Sequence, residues 1–269
     1  MLFRSTFHPD GPDSENLVEM VLQLINGTVV VSGSSEAMVY DYSADRMALS
    51  ATQIIENGEE VPADILLNAN GLHGQSRQRA GDVRDRASSF AASSVDVLIG
   101  FDDGESRVDL SGRATNVTAT SDARLGAGAI QNITDLRDID GYLNASYQSG
   151  PGTFVFSVDE EGGATTIVLG TGSTSFDMAI AADSISMESL SSDVAISLSG
   201  DEMPFPISLT ALALGQSFIF PVISTDEPMP IGMTLNISDL SLDKQIWGML
   251  DPFGAVPHEP LTQIGRAHV

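Results

Sequence analysis

Residues 95–101 read Val-Asp-Val-Leu-Ile-Gly-Phe, and residues 102–105 after them read Asp-Asp-Gly-Glu. Apolar side chains occupy every second position, Val95, Val97, Ile99 and Phe101, which is the period of a β-strand with one buried face. The short acidic segment that follows contains glycine and is typical of a hairpin turn. The two segments together predict a strand, a tight reversal and a second strand.

The same alternation recurs along the chain, at 154–158, 176–180, 194–198 and 233–237. Asn57-Gly58 and Glu161-Gly162-Gly163 supply two further turns of the hairpin kind. We therefore predict hairpins at a spacing of roughly 40 residues or less, from Val39 to Gln75, Ser88 to Thr120, Tyr142 to Gly170, and Ser173 to Ser199.

Successive hairpins make an antiparallel meander, and a meander of this length must curl or split to bury its apolar side. The predicted fold is mainly β: a large antiparallel meander forming a curled sheet or an open half-barrel, with one or two short helices. Ser241 to Leu250 is predicted to be helical, because Ser241 can cap it and Asp251-Pro252 can end it. Apolar spacing allows a second helix from Glu15 to Ile25, although a strand fits that segment almost as well.

The chain is strongly acidic: 12 Lys and Arg oppose 37 Asp and Glu, a net charge of −25. This charge repels phosphates and anionic head groups, so neither nucleic acid nor an anionic lipid surface is an expected partner. The simplest role of the acidic surface is solubility, and the alternative is binding of cations or of a basic partner. The only basic cluster, residues 74–81, is expected to be a solvated loop or strand edge.

Two features are missing from the sequence. Cysteine is absent, which excludes disulfides, Cys-type zinc sites and thiol nucleophiles. No apolar run approaches the ~18 residues of a membrane helix, so no transmembrane segment is expected.

Both ends of the chain match a synthetic sequence. Residues 2–5 and 264–269 correspond in frame to a common sequencing-library adapter, and Gln263 supplies two further adapter bases. We therefore expect residues 1–5 and 263–269 to be adapter-derived, and residues 6–262 to form one β-rich domain truncated at both ends. A signal peptide is then expected to have been lost by truncation.

A distinctive series of segments occupies residues 203–223, 231–240 and 245–252. Its most specific part is Ile246-Trp247-Gly248-Met249-Leu250-Asp251-Pro252. These segments resemble an alphaproteobacterial family catalogued as domain of unknown function 2125, and the resemblance extends more diffusely over residues 36 to 260. It implies an exported, periplasmic, β-rich protein. It implies no catalytic residue, cofactor or ligand.

No arrangement of side chains predicts catalysis, a cofactor or a metal site. His8, His73 and His258 are far apart and lack the spacing of a local metal motif. The acidic turns at 102–105 and 159–163 are explained by hairpins, with calcium binding as the alternative. Trp247, together with Ile246 and Met249, is predicted to anchor the short helix against the sheet or to contact a partner.

Three functions remain open. The leading hypothesis is a non-enzymatic exported envelope protein whose curled sheet binds a hydrophobic molecule, such as a lipid, or a protein partner. The second is a purely structural envelope scaffold. The third is a carboxylate-dependent hydrolase of envelope polymers, since pairs of Asp and Glu can cleave glycosidic bonds.

Overall fold

The computed structural model describes twelve segments of the chain: residues 2–7, 17–34, 36–56, 59–79, 83–102, 104–126, 141–160, 163–181, 184–201, 203–221, 232–243 and 267–268. Every regular element in these segments is a β-strand. The prediction of a mainly β, antiparallel fold is therefore confirmed. The strands are β1 Leu2–Phe7, β2 Leu17–Ile25, β3 Thr28–Gly33, β4 Ala37–Glu56, β5 Glu59–Glu60, β6 Ala63–Arg79, β7 Val83–Asp102, β8 Ser106–Gly126, β9 Gly141–Ser149, β10 Gly152–Glu160, β11 Gly163–Thr171, β12 Ser173–Ala181, β13 Ser184–Gly200, β14 Ile207–Pro221, β15 Gly232–Ser238, β16 Ser241–Leu242 and β17 Ala267–His268.

The strands form one antiparallel sheet whose successive rows follow the order of the chain. β4, β6, β7 and β8 pair in this order along most of their lengths, and β13 pairs with β14 in the same way. Shorter strands lie end to end and share a row, namely β2 with β3, β9 with β10, β11 with β12, and β15 with β16.

Three of the predicted hairpins are present as the pairs β4–β6, β7–β8 and β12–β13. The third prediction, Tyr142 to Gly170, is correct only from residue 152 onward, as the pair β10–β11; its first part is strand β9, which pairs with β8 and β12 instead. Gly104 and Gly163 have φ values of 86° and 132°, which fit the turns predicted there. Residues 57–58 and 161–162 of the other turn predictions lie outside the described residues.

The predicted helix at Ser241 to Leu250 is wrong where the structure describes it. Ser241 and Leu242 form β16, which pairs with Thr210 and Leu209 of β14. β16 continues the row of β15 in the same register, so the free edge of β14 outweighs the capping preference of Ser241. Residues 244–250, including Ile246, Trp247 and Met249, lie outside the described residues.

The segment that allowed either a helix or a strand, Glu15 to Ile25, is strand β2 from residue 17 onward. It is paired on both sides, with β1 and with β4. Pairing with two strands satisfies its backbone groups and overrides the weak helical spacing of its apolar residues. No helix occurs among the described residues.

A line of unusual backbone conformations crosses the sheet from row to row. We call it the crease. Asn26, Gly71, Asn116, Asp193 and Asp239 have left-handed φ values of 50°, 58°, 50°, 48° and 49°. The registers place them at one level, with Asp45, Ser93 and Leu212 opposite them in the intervening rows. A left-handed residue inside a strand interrupts the ladder and bends the chain.

The crease also shifts the alternation of side chains. In β8, Ala114 is buried and Val117 is buried, although residues three apart in a regular strand point to opposite faces. The left-handed Asn116 between them turns the chain, so that both side chains reach the same side. Ala69 and Leu72 flank Gly71 in the same way.

Among the described residues, the buried hydrophobic side chains are concentrated at this level. Each lies within two residues of the crease in its row: Ala44, Ala69, Leu72, Ala92, Ala114, Val117, Val194 and Ala211. Most are small, and Val194 is the largest fully buried side chain. The core is therefore a thin band across the sheet, as expected where few large side chains meet.

Candidate functional site

One face of the sheet is apolar over most of its width, and we call it the apolar face. Directly paired residues share a face, so the registers define its layers. Three of these layers contain no charged side chain: Leu49, Leu67, Val97, Gly112, Phe154, Leu169, Ile196, Leu209 and Leu242; Ile65, Ile99, Leu110, Phe156, Ile167, Leu198 and Ile207; and, beyond the crease, Tyr40, Ser76, Ser88, Ser121, Ala145, Met178, Met187, Phe218 and Met233. The layer beyond the crease is apolar from β9 to β15 and carries serines in β6, β7 and β8.

The apolar face continues across the crease because the alternation shifts there. Below the crease, β8 directs its even-numbered residues 108–114 to this face, and above it the odd-numbered residues 117–123. Without the shift, the apolar residues of the two halves would lie on opposite sides of the sheet. The rings of Phe218 and Phe220 stack with centroids 6.2 Å apart, which places both on the same side of β14.

The opposite face carries the charged side chains of the same strands, and we call it the charged face. It also contains one largely apolar layer, formed by Leu66, Leu98, Val155 and Val168. Arg107 is the best connected residue of the charged face: its Nε is 2.8 Å from Asp109 Oδ2 and its Nη2 is 3.0 Å from Asp109 Oδ1. Asp102 and Asp64 each lie 3.9 Å from the same guanidinium. The hydrogen bonds to Asp109 raise the pKa of Arg107 and lower the pKa of the Asp109 carboxyl.

Two aromatic rings lie flat on the apolar face above glycines. A Cβ added to Gly112 would overlap Phe154 Cδ1, and one added to Gly74 would stand 2.5 Å from the Tyr42 hydroxyl. That hydroxyl donates to the Ser89 carbonyl at 3.0 Å, and burial raises its pKa. Glycine therefore lets each ring cross the neighbouring strand, which keeps the apolar face smooth.

Large apolar side chains on this face remain accessible to water. Phe101, Phe156 and Ile167 are 45%, 39% and 37% exposed. An ordinary soluble domain covers the apolar side of a sheet with a second layer. Among the described residues, the strands make their main contacts with hydrogen-bonded neighbours in the same sheet.

A cavity of about 390 Å³ opens on the charged side, between β8 and β14. Asp177 and Glu188 line it and are paired directly across β12 and β13. Both are exposed, whereas a general acid in a glycosidase is usually held protonated by an apolar environment. The cavity thus brings two carboxylates together without the burial that acid catalysis needs.

The structure places the other predicted residues as follows. His73 lies in β6, paired with Ser43 and Ala91, and is exposed. His8 and His258 lie outside the described residues. In the first acidic turn, Asp102 Oδ1 accepts a hydrogen bond from the Gly104 amide at 2.9 Å, which accounts for this carboxylate as a turn residue. Within the described segments, no group of His, Asp or Glu is arranged to hold a metal ion.

The crease was not predicted from the sequence, although a signal for it exists. Asn116-Val117, Asp193-Val194 and Asp239-Leu240 each place Asn or Asp before an apolar residue inside a strand pattern. Asn and Asp tolerate the left-handed conformation better than other residues with a side chain. The signal is easily overlooked because the same residues also mark turns.

No helix that is able to span a membrane occurs among the described residues. Comparison of the chain with family models, with curated proteins and with solved structures found no match. The resemblance to domain of unknown function 2125 thus stays a prediction, and the proposals below are based on geometry.

Proposed function

We propose that this protein is an exported, periplasmic envelope protein without enzymatic activity, whose sheet curls at the crease and holds a hydrophobic molecule against the apolar face. The main support is the apolar face, three layers of which contain no charged side chain. Below the crease it covers eight rows from β4 to β14, or about 34 Å at the usual strand spacing, and beyond the crease it continues from β9 to β15. A soluble monomer rarely leaves an apolar patch of more than a few hundred Å² uncovered.

The crease supports the curl. Left-handed residues at one level bend successive strands at the same place, and bulges and glycines at defined positions are how sheets acquire curvature. The small buried residues at the crease let its inner side close tightly. We therefore assign the concave side to the apolar face.

An uncharged fluorescent probe, N-phenyl-1-naphthylamine, tests the proposal on the purified chain. Phe156 and Ser157 are adjacent in β10 and lie on opposite faces. Phe156→Glu is expected to weaken probe binding about tenfold, because a large apolar contact is replaced by a charge. Ser157→Glu adds the same charge on the charged face and should leave binding within about twofold, because its side chain points away from the bound probe.

Native mass spectrometry of protein extracted from cells identifies the occupant. A co-purifying lipid supports the proposal. A co-purifying protein on the same face would show that the apolar face binds a protein partner and not a small hydrophobic molecule. Equal probe binding by Phe156→Glu and wild type, with neither occupant, favours the structural scaffold instead.

The hydrolase alternative has one geometric feature in its favour, the pairing of Asp177 with Glu188 in a cavity. Their exposure makes it the weaker proposal. Cleavage of an envelope polymer that is lost in Asp177→Asn and retained in Asp159→Asn, an exposed acid in β10, would establish it.

A further inference from the structure

Four arginines gather around one cavity where β6 ends and β7 begins. They are Arg77 and Arg79 of β6, Arg86 of β7 and Arg124 of β8, and the cavity measures about 590 Å³. They are four of only 12 basic residues in the chain. The sequence of residues 74–81 by itself predicts a solvated strand edge. The pairing of β6 with β7 and of β7 with β8 brings Arg86 and Arg124 close to this edge.

Two carboxylates also line the cavity, and both already have partners there. Asp85 Oδ1 lies 3.8 Å from Arg124 Nε. Asp122 Oδ2 accepts a hydrogen bond from the Tyr142 hydroxyl at 3.1 Å, which raises the pKa of that tyrosine. The four arginines and two aspartates of the lining give 4 − 2 = +2, in a chain of net charge −25.

Arg124 is paired with Asp85, whereas the other three arginines of the cavity form no salt bridge within 4.0 Å among the described residues. Arg77 Nε donates to Gln75 Oε1 at 2.7 Å, an uncharged acceptor. Arg79 and Arg86 are exposed. Positive charges that protein groups leave uncompensated attract an external anion.

The cavity lies where the two faces of the sheet meet. Arg79 is paired with Asp85 on the charged face, whereas Arg86 is on the other side, paired with Gln78. Gln78 is in turn paired with Met38, so Arg86 lies on the same side of the sheet as Tyr42 of the apolar face.

We propose that the arginine cavity binds a phosphate group, either as a free phosphate compound or as the head group of an anionic lipid. Planar guanidinium groups form paired, charge-assisted hydrogen bonds with phosphate oxygens. The volume is within the usual range of small-molecule sites. The proposal does not rest on a ligand at the apolar face, because the cavity has its own residues and its own chemistry.

Isothermal titration calorimetry with inorganic pyrophosphate, and flotation with phosphatidylcholine vesicles containing phosphatidic acid, test the proposal on the full chain. The double variant Arg79→Gln/Arg86→Gln is expected to weaken binding at least about tenfold, since it removes two charged donors. The matched control is Arg113→Gln, an exposed arginine of β8 that lies 3.6 Å from Asp96 on the charged face. It should leave binding within about twofold, because it is outside the cavity.

A gain of binding provides a second readout. Asp122→Asn removes one negative charge from the lining while keeping an acceptor for Tyr142, so pyrophosphate binding should tighten about two- to threefold. If the double variant loses binding to the vesicles but keeps binding to pyrophosphate, the site is assigned to a lipid head group. Equal losses in the double variant and in Arg113→Gln, unchanged affinity in Asp122→Asn, or no binding of either probe would overturn the proposal.

Discussion

The two faces of this sheet are formed by the same strands, one residue apart, and they differ most in where the charged side chains lie. In β7, Val97 and Ile99 lie on the apolar face. Asp96 of the same strand lies on the charged face, opposite Arg113 of β8. The apolar face keeps its side of the sheet across the crease only because the alternation shifts at Asn116 and its counterparts. The polarity of a long sheet thus depends on a few backbone conformations as well as on the alternating pattern.

The comparison also indicates where the stability of the fold originates. Away from the crease, side chains on both faces are only partly buried, and full burial is found at the crease. Hydrophobic stabilisation grows with the apolar area removed from water. A substitution should therefore lower the free energy of unfolding most at the crease on the apolar face, less elsewhere on that face, and least on the charged face.

The largest effect is expected from a charge at the crease. Val117 is 3% exposed, and Val117→Asp places an unpaired carboxylate in the buried band. The free energy of unfolding should fall by about 3–5 kcal/mol, because the charge loses its hydration without gaining a partner. Urea denaturation followed by circular dichroism measures it.

The adjacent residue, Thr118, is exposed and serves as the control. Thr118→Asp should change the free energy of unfolding by no more than about 0.5 kcal/mol, as surface substitutions usually do. If Val117→Asp and Thr118→Asp lowered the free energy of unfolding by similar amounts, the two faces would be equally buried at the crease, and the difference between them would be refuted.

An intermediate effect is expected from glycines on the two faces. Gly112→Ala forces the Phe154 ring off the apolar face and should cost about 1–3 kcal/mol. Gly170, on the charged face, has only Ala195 at 3.9 Å from an added Cβ. Gly170→Ala should therefore stabilise the protein by up to about 1 kcal/mol, through reduced freedom of the unfolded chain. Thermal unfolding of the two variants should give shifts of opposite sign, and shifts of the same sign would contradict this account.

The smallest effect concerns the charged face and depends on pH. Arg107 lowers the pKa of Asp109 in the folded state, so this pair stabilises the protein above the unfolded carboxyl pKa of about 3.9. The stabilisation is lost as the pH falls through the lowered folded pKa. Arg107→Gln should thus reduce the melting temperature slightly at pH 6 and not at pH 2.5. A melting curve of Arg107→Gln parallel to that of wild type at all pH values would rule out the coupling.

The local part of the fold could be predicted from the sequence, because it depends on neighbours in the chain. The strand at 95–101 and the turn after it are both specified within a dozen residues, and β7 and β8 pair around that turn. The incorrect helix at Ser241 shows the limit. Its cap and stop signals are local, whereas the edge of β14 that captures Ser241 and Leu242 is formed by residues about 30 positions earlier in the chain.

The candidate sites were less predictable for the same reason. The arginine cavity needs β6, β7 and β8 side by side before Arg86 and Arg124 join Arg77 and Arg79. The apolar face could be predicted strand by strand, but its continuity needs the left-handed conformation of residues such as Asn116. Asn is compatible with that conformation without requiring it, so composition alone does not locate the crease.

The crease also has a consequence for how such a chain can grow. Asn26, Gly71 and Asn116 follow one another at intervals of 71 − 26 = 45 and 116 − 71 = 45 residues, and each interval adds two rows. A two-row unit therefore brings its own left-handed residue and its own contribution to the buried band. Duplication of one unit within the gene would lengthen the sheet by about 9.6 Å without breaking either face, so the width of the apolar face is open to evolution in steps of fixed size.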